Sequence, residues 1–250
     1  MQSVVPGNGR IDRSSGSFAV PDIDGLFTDG NTKNLKTAFL TPEERQLFNA
    51  VVLYREEKEN GFPITKTLRT RLTSGYDTDP EETFDLSNWC CSQVHAEIFA
   101  KYALKVREVV DHGITFETPT NMGVGLKPGS FIKFVSTATH LSRFNNGSIG
   151  PEGEIRSTND VSDGESIYYW KPGDPDVTAG TLDIDASGKE KARALWGSVF
   201  TTRKDNTESK VYKVESISFA DEGFIEITAS YCPVSDSGGL KILEWNNQFI

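Results

Sequence analysis

The chain has 250 residues, of which 36% are hydrophobic and 25% charged, so it is long enough and apolar enough to bury a core of its own. Its net charge of −10 argues against a nucleic-acid groove, which needs a concentrated basic face. No apolar run approaches the roughly 18 residues of a membrane span. The opening MQSVVPGNGR lacks the apolar stretch of a signal peptide, so we expect synthesis in a cytoplasm and no membrane anchor.

Residues 1–40 predict an extended N-terminal arm. They are rich in Gly, Ser, Asp and Asn, and their short apolar islands keep neither the period of a strand nor that of a helix. We expect such a segment to become ordered only against a partner surface. Residues 41–250 are predicted to form one β-rich domain.

Residues 41–60 carry two conflicting patterns. Thr41-Pro42-Glu43-Glu44 is a capping box with Pro at the first helical position, which favours a helix. The run FNAVVLY that follows is β-branched and aromatic, which favours a strand. We predict a helical turn at 41–46 and a strand at 47–55 that pairs with a second strand at 63–72.

Residues 88–111 predict the main helix of the chain. Ser87 or Ser92 is suited to cap its start and Gly113 to end it. Apolar residues recur at spacings of three and four, which predicts a stripe that packs on a sheet. The stripe comprises Val94, Ile98, Tyr102, Val106 and Val109.

The chain after the helix reads as strands. Strands are predicted at 113–118 and 130–139, separated by a turn at Pro128-Gly129. Residues 140–206 are rich in Gly, Asn, Asp and Pro and predict a loop-rich insertion with short strand candidates at 166–170, 181–184 and 197–202. Residues 211–233 then predict a hairpin, whose second strand alternates apolar and polar residues. The predicted fold class is therefore α+β, predominantly antiparallel β, with the helix at about 88–111 packed on the sheet.

Metal sites are weakly supported by the sequence. Cys91 and His95 are four residues apart on the predicted helix, but structural zinc usually takes four ligands in tight pairs. The run from Asp183 to Gly188 matches the opening of a calcium loop, yet Ala194 stands where a bidentate Glu is needed. We expect an Asp-rich turn, reduced cysteines and no metal or other cofactor.

Enzyme motifs are equally weak, and no catalytic residues are assigned. Carboxylates are plentiful in the insertion, so a glycosidase pair stays an alternative that the sequence cannot locate. A second alternative is a carbohydrate platform, because exposed Tyr and Trp rings stack on sugars. Its candidate contacts are Tyr168, Trp170 and Trp196.

The order of these elements resembles the tail-hub, or baseplate hub, proteins of long-tailed bacteriophages, cyanophage-like myoviruses in particular. The likeness covers about residues 45–245, and its motifs are moderately specific only in their order. It is carried by residues 84–87 (FDLS), 92–118, 125–135 (GLKPGSFIKFV), 143–149 (RFNNGSI), 168–173 (YYWKPG) and 211–233.

The resemblance implies a structural subunit of the virion tail. Hub proteins form rings, commonly trimers, in which barrel-like β domains join the tail tube to a tip or spike. The implied partners are copies of the same chain and neighbouring tail tube, baseplate or spike proteins, and the implied activity is not enzymatic. Hub proteins are usually longer, with two related barrel domains. The competing function is a tail-associated module that binds a receptor or polysaccharide.

Overall fold

The computed structural model describes residues 22–57, 61–136, 145–157, 159–202, 210–220, 223–235 and 239–243. The predicted arm residues 1–21, the strand end 137–139 and the turn residues 221–222 lie outside these ranges. The fold class is confirmed as α+β, with mostly antiparallel sheets and one main helix. The sheets of the described residues are open, and none of them closes into a barrel.

Fourteen strands are assigned in the described residues. In chain order they are β1 (Ile23–Thr28), β2 (Lys33–Phe39), β3 (Asn49–Glu57), β4 (Pro63–Thr70), β5 (Glu81–Asp85), β6 (His112–Pro119), β7 (Phe131–Val135), β8 (Asn146–Ile149), β9 (Ile155–Ser157), β10 (Ser166–Trp170), β11 (Thr178–Thr181), β12 (Val199–Thr202), β13 (Lys210–Phe219) and β14 (Phe224–Tyr231). The helices are α1 (Gln93–Val109) and the short α2 (Thr120–Gly123), with 3-10 helices at Arg193–Leu195 and Lys241–Leu243.

The chain divides into two compact units. Unit 1 consists of the described residues within 1–38 and 112–233. Unit 2 consists of those within 39–111 and 234–250. Unit 2 is therefore mainly an insertion between β2 and β6 of unit 1.

The predicted hairpin lies inside the larger sheet of unit 1. That sheet has the order β1-β7-β13-β14-β6-β2, and β1 runs parallel to β7 while β7, β13, β14 and β6 pair antiparallel. Ile225, Ile227 and Ala229 of β14 are buried on one face, as their alternation predicts. They pack with buried aromatic residues of the neighbouring strands. Gly223 adopts the left-handed conformation after the turn.

The described part of the predicted arm is not an arm. Residues 23–39 form β1 and β2, which occupy the two edges of the six-stranded sheet. Leu26 and Phe27 of β1 are fully buried. Their burial requires partners more than 80 residues further along the chain, such as Phe116 and Trp170. Local sequence patterns do not predict a short apolar segment of this kind, because the residues that bury it lie far away in the chain.

The predicted loop-rich insertion contains a second sheet of unit 1. Its strands have the order β11-β10-β12-β8-β9, all antiparallel. A separate core underlies it, formed by Ile149, Ile167, Leu182, Leu195 and Phe200. The strand candidates at 166–170 and 197–202 are confirmed as β10 and β12, and β11 lies just before the candidate at 181–184. β8 and β9 were not predicted, because these strands have only three or four residues among many turn residues.

The strand pairing predicted for residues 47–72 is confirmed in unit 2. β3 pairs antiparallel with β4 and parallel with β5. The capping box forms as well: the Thr41 N–H donates to Glu44 Oε2 at 2.7 Å, and the Glu44 N–H donates to Thr41 Oγ1 at 3.3 Å. Both local patterns are satisfied because the helical turn ends before the strand begins.

The main helix is confirmed, but its buried face and both of its ends differ from the prediction. α1 begins after Ser92, whose side chain makes no capping hydrogen bond, and ends at Val109, so Gly113 lies in β6. The face that packs on β3 carries Ala96, Ala100 and Leu104, four residues apart. Small alanines let the helix approach the sheet closely. Among the described residues, no helix is long and apolar enough to span a membrane.

We predict that Gly147→Ala destabilises unit 1 by about 1–3 kcal/mol, because the added carbon has no space. Gly147 of β8 lies against β9, and a Cβ there would be 2.8 Å from the Cα of Ser157 and closer still to the carbonyl of Arg156. Urea unfolding followed by tryptophan fluorescence measures the change. Gly125→Ala is the matched control, since a Cβ at Gly125 meets nothing within 4 Å. Equal midpoints for the two variants would contradict the prediction.

Candidate interaction surfaces

Trp170, one of the three predicted carbohydrate contacts, is a core residue. It is only 4% exposed, its ring centroid lies 6.0 Å from that of Phe27, and its Nε1–H donates to the carbonyl of Asp174 at 3.2 Å. It packs with Leu26 and Val199 between the two sheets of unit 1. The prediction of an exposed ring at Trp170 is therefore corrected: the ring is not available to stack on a sugar.

Tyr168 and Trp196 are half-buried, and each has a cation on its ring. Lys133 Nζ lies 4.1 Å from the Tyr168 ring centroid, and the Arg193 guanidinium lies 5.4 Å from that of Trp196. The Trp196 Nε1–H also donates to the carbonyl of Glu190 at 2.8 Å. A sugar contact at these two residues stays a prediction, without the third ring that was to complete the platform.

The Asp-rich segment 183–190 forms a turn that satisfies its own carboxylates. Asp185 Oδ1 accepts the N–H of Ser187 at 2.8 Å, the N–H of Lys189 at 2.9 Å and the Ser187 hydroxyl at 2.6 Å. The Ser187 hydroxyl bond, foremost among these, lowers the pKa of Asp185 below its usual value. Asp183 pairs with Lys191 at 2.7 Å. Within the described ranges, no group of three or more His, Cys, Asp or Glu side chains could hold a metal ion.

Buried Glu190 holds this segment in place. Its Oε2 accepts the N–H of Asp183 at 3.0 Å and its Oε1 accepts the N–H of Ala192 at 2.8 Å. Both carboxylate oxygens are thus used by backbone donors, which is a structural role.

The residues considered for zinc have different surroundings. Cys91 and His95 are exposed, whereas Cys90 and Cys232 are buried. The Cys90 thiol donates to the carbonyl of Ser92 at 3.3 Å. Burial raises the pKa of Cys232 to about 12, so this thiol stays protonated at neutral pH.

Unit 1 exposes an aromatic side chain at the end of its long hairpin. Phe219 is the last residue of β13 and is 90% exposed. β13 pairs with β7 only over Lys210–Lys213, so its distal residues pair with β14 alone. β6 runs beside β14 as far as Phe224, so the hairpin ends level with β6, and Phe219 lies next to the hairpin turn on the β13 side.

Unit 2 exposes apolar residues at the start of α1. Trp89 is 88% exposed and Val94 is 61% exposed, and Ile98, one turn after Val94, is also exposed. Val94 and Ile98 begin the stripe that the sequence predicts to be buried. The stripe prediction is wrong here because the helix packs on the sheet through its alanine face instead.

Sequence reasoning missed Trp89 and Phe219 as surface features. Trp89 lies within the helix predicted at 88–111, and only the structure, in which α1 begins at Gln93, places it before the helix. The available signal for Phe219 was its position beside the predicted hairpin turn. Aromatic side chains at such positions cannot easily reach a core.

A shallow polar groove of about 430 Å³ lies on the three-stranded sheet of unit 2. Two ion pairs line it, Arg69 with Glu81 and Arg71 with Asp77, each at 3.2 Å. Asn49, also in the lining, donates from Nδ2 to the carbonyls of three residues of the adjoining loop at 3.0–3.3 Å. These contacts hold the loop onto the sheet, whereas the buried Asn49 Oδ1 accepts no hydrogen bond from the described residues.

Comparisons with known proteins include a weak structural likeness. No family model matches the chain, and no curated protein matches it. A chain of the solved structure "Virion of native gene transfer agent (GTA) particle" matches with a TM-score of 0.46 and 11% identity. The match covers 92% of this chain and 36% of the matched chain, so this chain spans about a third of that length. A likeness at this level carries no argument about function.

We predict that Cys91 alone among the three cysteines reacts rapidly with a thiol reagent in the folded protein. The thiolate is the reactive species, and burial of Cys90 and the raised pKa of Cys232 suppress their reaction. Ellman's reagent should titrate one thiol per chain in buffer and all three in denaturant. Cys91→Ser should abolish the fast phase. More than one fast thiol in the native chain would contradict the assignment.

Proposed function

We propose that this protein is a structural subunit of a bacteriophage tail or baseplate hub. In this role it assembles with copies of itself into a ring and contacts the neighbouring tube or spike proteins, and it acts as a building block without catalysing a reaction. The finished protein is then located in the tail of the virion.

The observation that carries the proposal is the pair of almost fully exposed aromatic residues. Phe219 in unit 1 and Trp89 in unit 2 are about nine-tenths exposed, although large aromatic side chains gain free energy when they are buried. Tyr and Trp are enriched at the centres of protein interfaces, and an aromatic ring held out into solvent offers a contact that needs no rearrangement of the core. Each unit thus has its own surface for a partner, as a subunit with more than one neighbour requires.

The sequence resemblance supports the same role from a different side. Its motifs coincide with real elements: residues 92–118 cover α1 and β6, residues 125–135 cover the turn and β7, and residues 211–233 cover the long hairpin. The resemblance therefore follows the framework of both units rather than scattered loops. The receptor- or polysaccharide-binding alternative is weaker, because Trp170, one of its three candidate contacts, lies in the core.

We predict that the purified chain forms a closed ring and that Phe219→Ser and Trp89→Ser weaken it. Removal of an interface aromatic removes buried apolar area from the assembled state while leaving the monomer core unchanged. Light scattering coupled to size exclusion gives the subunit number, and negative-stain images show whether a ring with a central opening is present.

Val124→Ser is the matched control, because Val124 is exposed in unit 1 but is small and aliphatic. The control should assemble like the original chain. A chain that stays monomeric at every concentration, alone and with the proteins encoded beside it, would contradict the proposed function.

A further inference from the structure

We infer that the three-stranded sheet of unit 2 continues from one copy of the chain into the next, with β4 of one copy paired to β5 of its neighbour. This inference rests on the proposed self-assembly and specifies which surface of the chain contacts which. The contact is asymmetric: each copy offers β4 on one side and β5 on the other.

Both strands have an open outer edge. The sheet has the order β4-β3-β5, so β4 and β5 each pair with β3 on one side only. Along Ile64–Arg69 and Glu81–Asp85, the described residues place no strand against the outer edge. An open edge presents backbone N–H and C=O groups at alternate residues, which form a ready template for another strand.

The two edges carry opposite charge. β4 contains Lys66 and Arg69 and no acidic residue, whereas β5 contains Glu81, Glu82 and Asp85 and no basic residue. Charged side chains on an edge usually prevent pairing between copies. That protection requires like charges to meet, and here a β4 edge that approaches a β5 edge meets the opposite sign. The pattern therefore attracts copies in one orientation only, in a chain whose net charge of −10 otherwise repels them.

Existing ion pairs leave these charges available. Lys66 pairs with Glu56, Arg69 with Glu81 at 3.2 Å and Glu82 with Arg107 of α1 at 2.8 Å. The side chains of these pairs are between 27% and 70% exposed, with Arg107 the least exposed. Solvent-exposed ion pairs contribute little to stability, so exchanging a partner within the chain for one on a neighbouring copy costs little.

The strand directions suit the contact. β4 runs antiparallel and β5 parallel to β3. When a second copy continues the sheet in the same orientation, its β4 lies antiparallel to β5 of the first copy. Antiparallel pairs are slightly more stable per residue than parallel pairs.

One register matches the side chains on both faces. Val52 lies between Leu68 and Phe84 in the sheet, so even-numbered residues of β4 and β5 share the face covered by α1. The favoured register keeps this parity, since a slip by one residue would exchange the faces. It sets Lys66 opposite Glu82, Ile64 opposite Phe84 and Thr65 opposite Thr83, and these charge, apolar and hydroxyl pairs are each favourable across strands.

A head-to-tail contact of this kind closes into a ring when the rotation between copies is right. It also uses strands that the hairpin tip with Phe219 does not contain, so it adds a third contact surface to the two aromatic ones.

The test is a charge exchange between copies. One variant carries Lys66→Glu with Arg69→Glu and has two acidic edges; the other carries Glu81→Lys with Glu82→Lys and gains a basic β5 edge. Asp85 is left unchanged because its carboxylate accepts the N–H of Ser87 at 3.0 Å and shapes the turn after β5. Each variant alone should be monomeric by light scattering, and an equimolar mixture should associate, because contacts between unlike variants bring opposite charges together. The two variants must alternate along the contacts, so a ring with an even number of subunits recovers its full mass, whereas a trimer recovers only an open complex. Circular dichroism and thermal unfolding of each variant confirm that it is folded.

A cysteine pair tests the register. Thr65→Cys and Thr83→Cys, both in a Cys91→Ser background, should form a disulfide-linked ladder on non-reducing gels. Thr67→Cys with Thr83→Cys is the matched pair for a register slipped by two residues and should link poorly.

The outcomes separate this inference from the proposed function. Variants that assemble like the original chain, or cysteine pairs that never link although the ring forms, overturn the strand contact while the hub function stands. Efficient linking at Thr67 rather than Thr65 overturns the stated register. A wild-type chain that never assembles overturns both proposals.

Discussion

The ring of Phe27 is in contact with both sheets of unit 1, and the arrangement of that unit depends on it. Its centroid lies 5.1 Å from that of Phe116 in β6 and 6.0 Å from that of Trp170 in β10. From Phe116 the ring contacts continue to Phe134 at 5.0 Å and on to Tyr212 at 6.1 Å, so one line of aromatic rings crosses the large sheet. Aromatic pairs contribute about 0.5–1.5 kcal/mol beyond their buried area. Because β1 supplies Phe27, the core of the six-stranded sheet is in contact with the five-stranded sheet through Trp170.

This contact explains which parts of the fold the sequence could predict. The hairpin β13–β14 and the pairing of β3 with β4 follow from alternation and turn residues within about 25 positions, so local patterns were sufficient. β1 pairs with β7, more than 100 residues away, and its six residues carry no such pattern. β8 and β9 of the second sheet were not predicted for the same reason, whereas β10 and β12 were. These unpredicted strands are stabilised by contacts with residues far away in the chain, which local patterns do not contain.

The helix face and the surfaces show a second limit. Val94 and Ile98 have the hydrophobicity of core residues, but Ala96 and Ala100 fit the space above β3. Hydrophobic periodicity depends only on the apolar character of the side chains and contains no information about the distance between the helix and the sheet. The same holds for Trp170 and Trp89, because only the fold distinguishes the core ring from the exposed one. The charges of β4 and β5, in contrast, can be read directly from the sequence. The strand order then shows that these two strands form the opposite edges of one sheet.

The route of the chain between the units has an evolutionary consequence. The segment 39–111 leaves unit 1 after β2 and returns at β6, and these two strands are neighbours in the six-stranded sheet. The N–H of Leu40 donates to the carbonyl of Asp111 at 2.9 Å, so the outgoing and returning segments are already hydrogen-bonded at that point. A segment inserted between adjoining strand ends can be gained, lost or exchanged by recombination without changing the strand order of the six-stranded sheet. If the segment is lost, a tight turn can connect the two strand ends. Diversification of such a chain can therefore proceed by swapping one module while the other keeps its core.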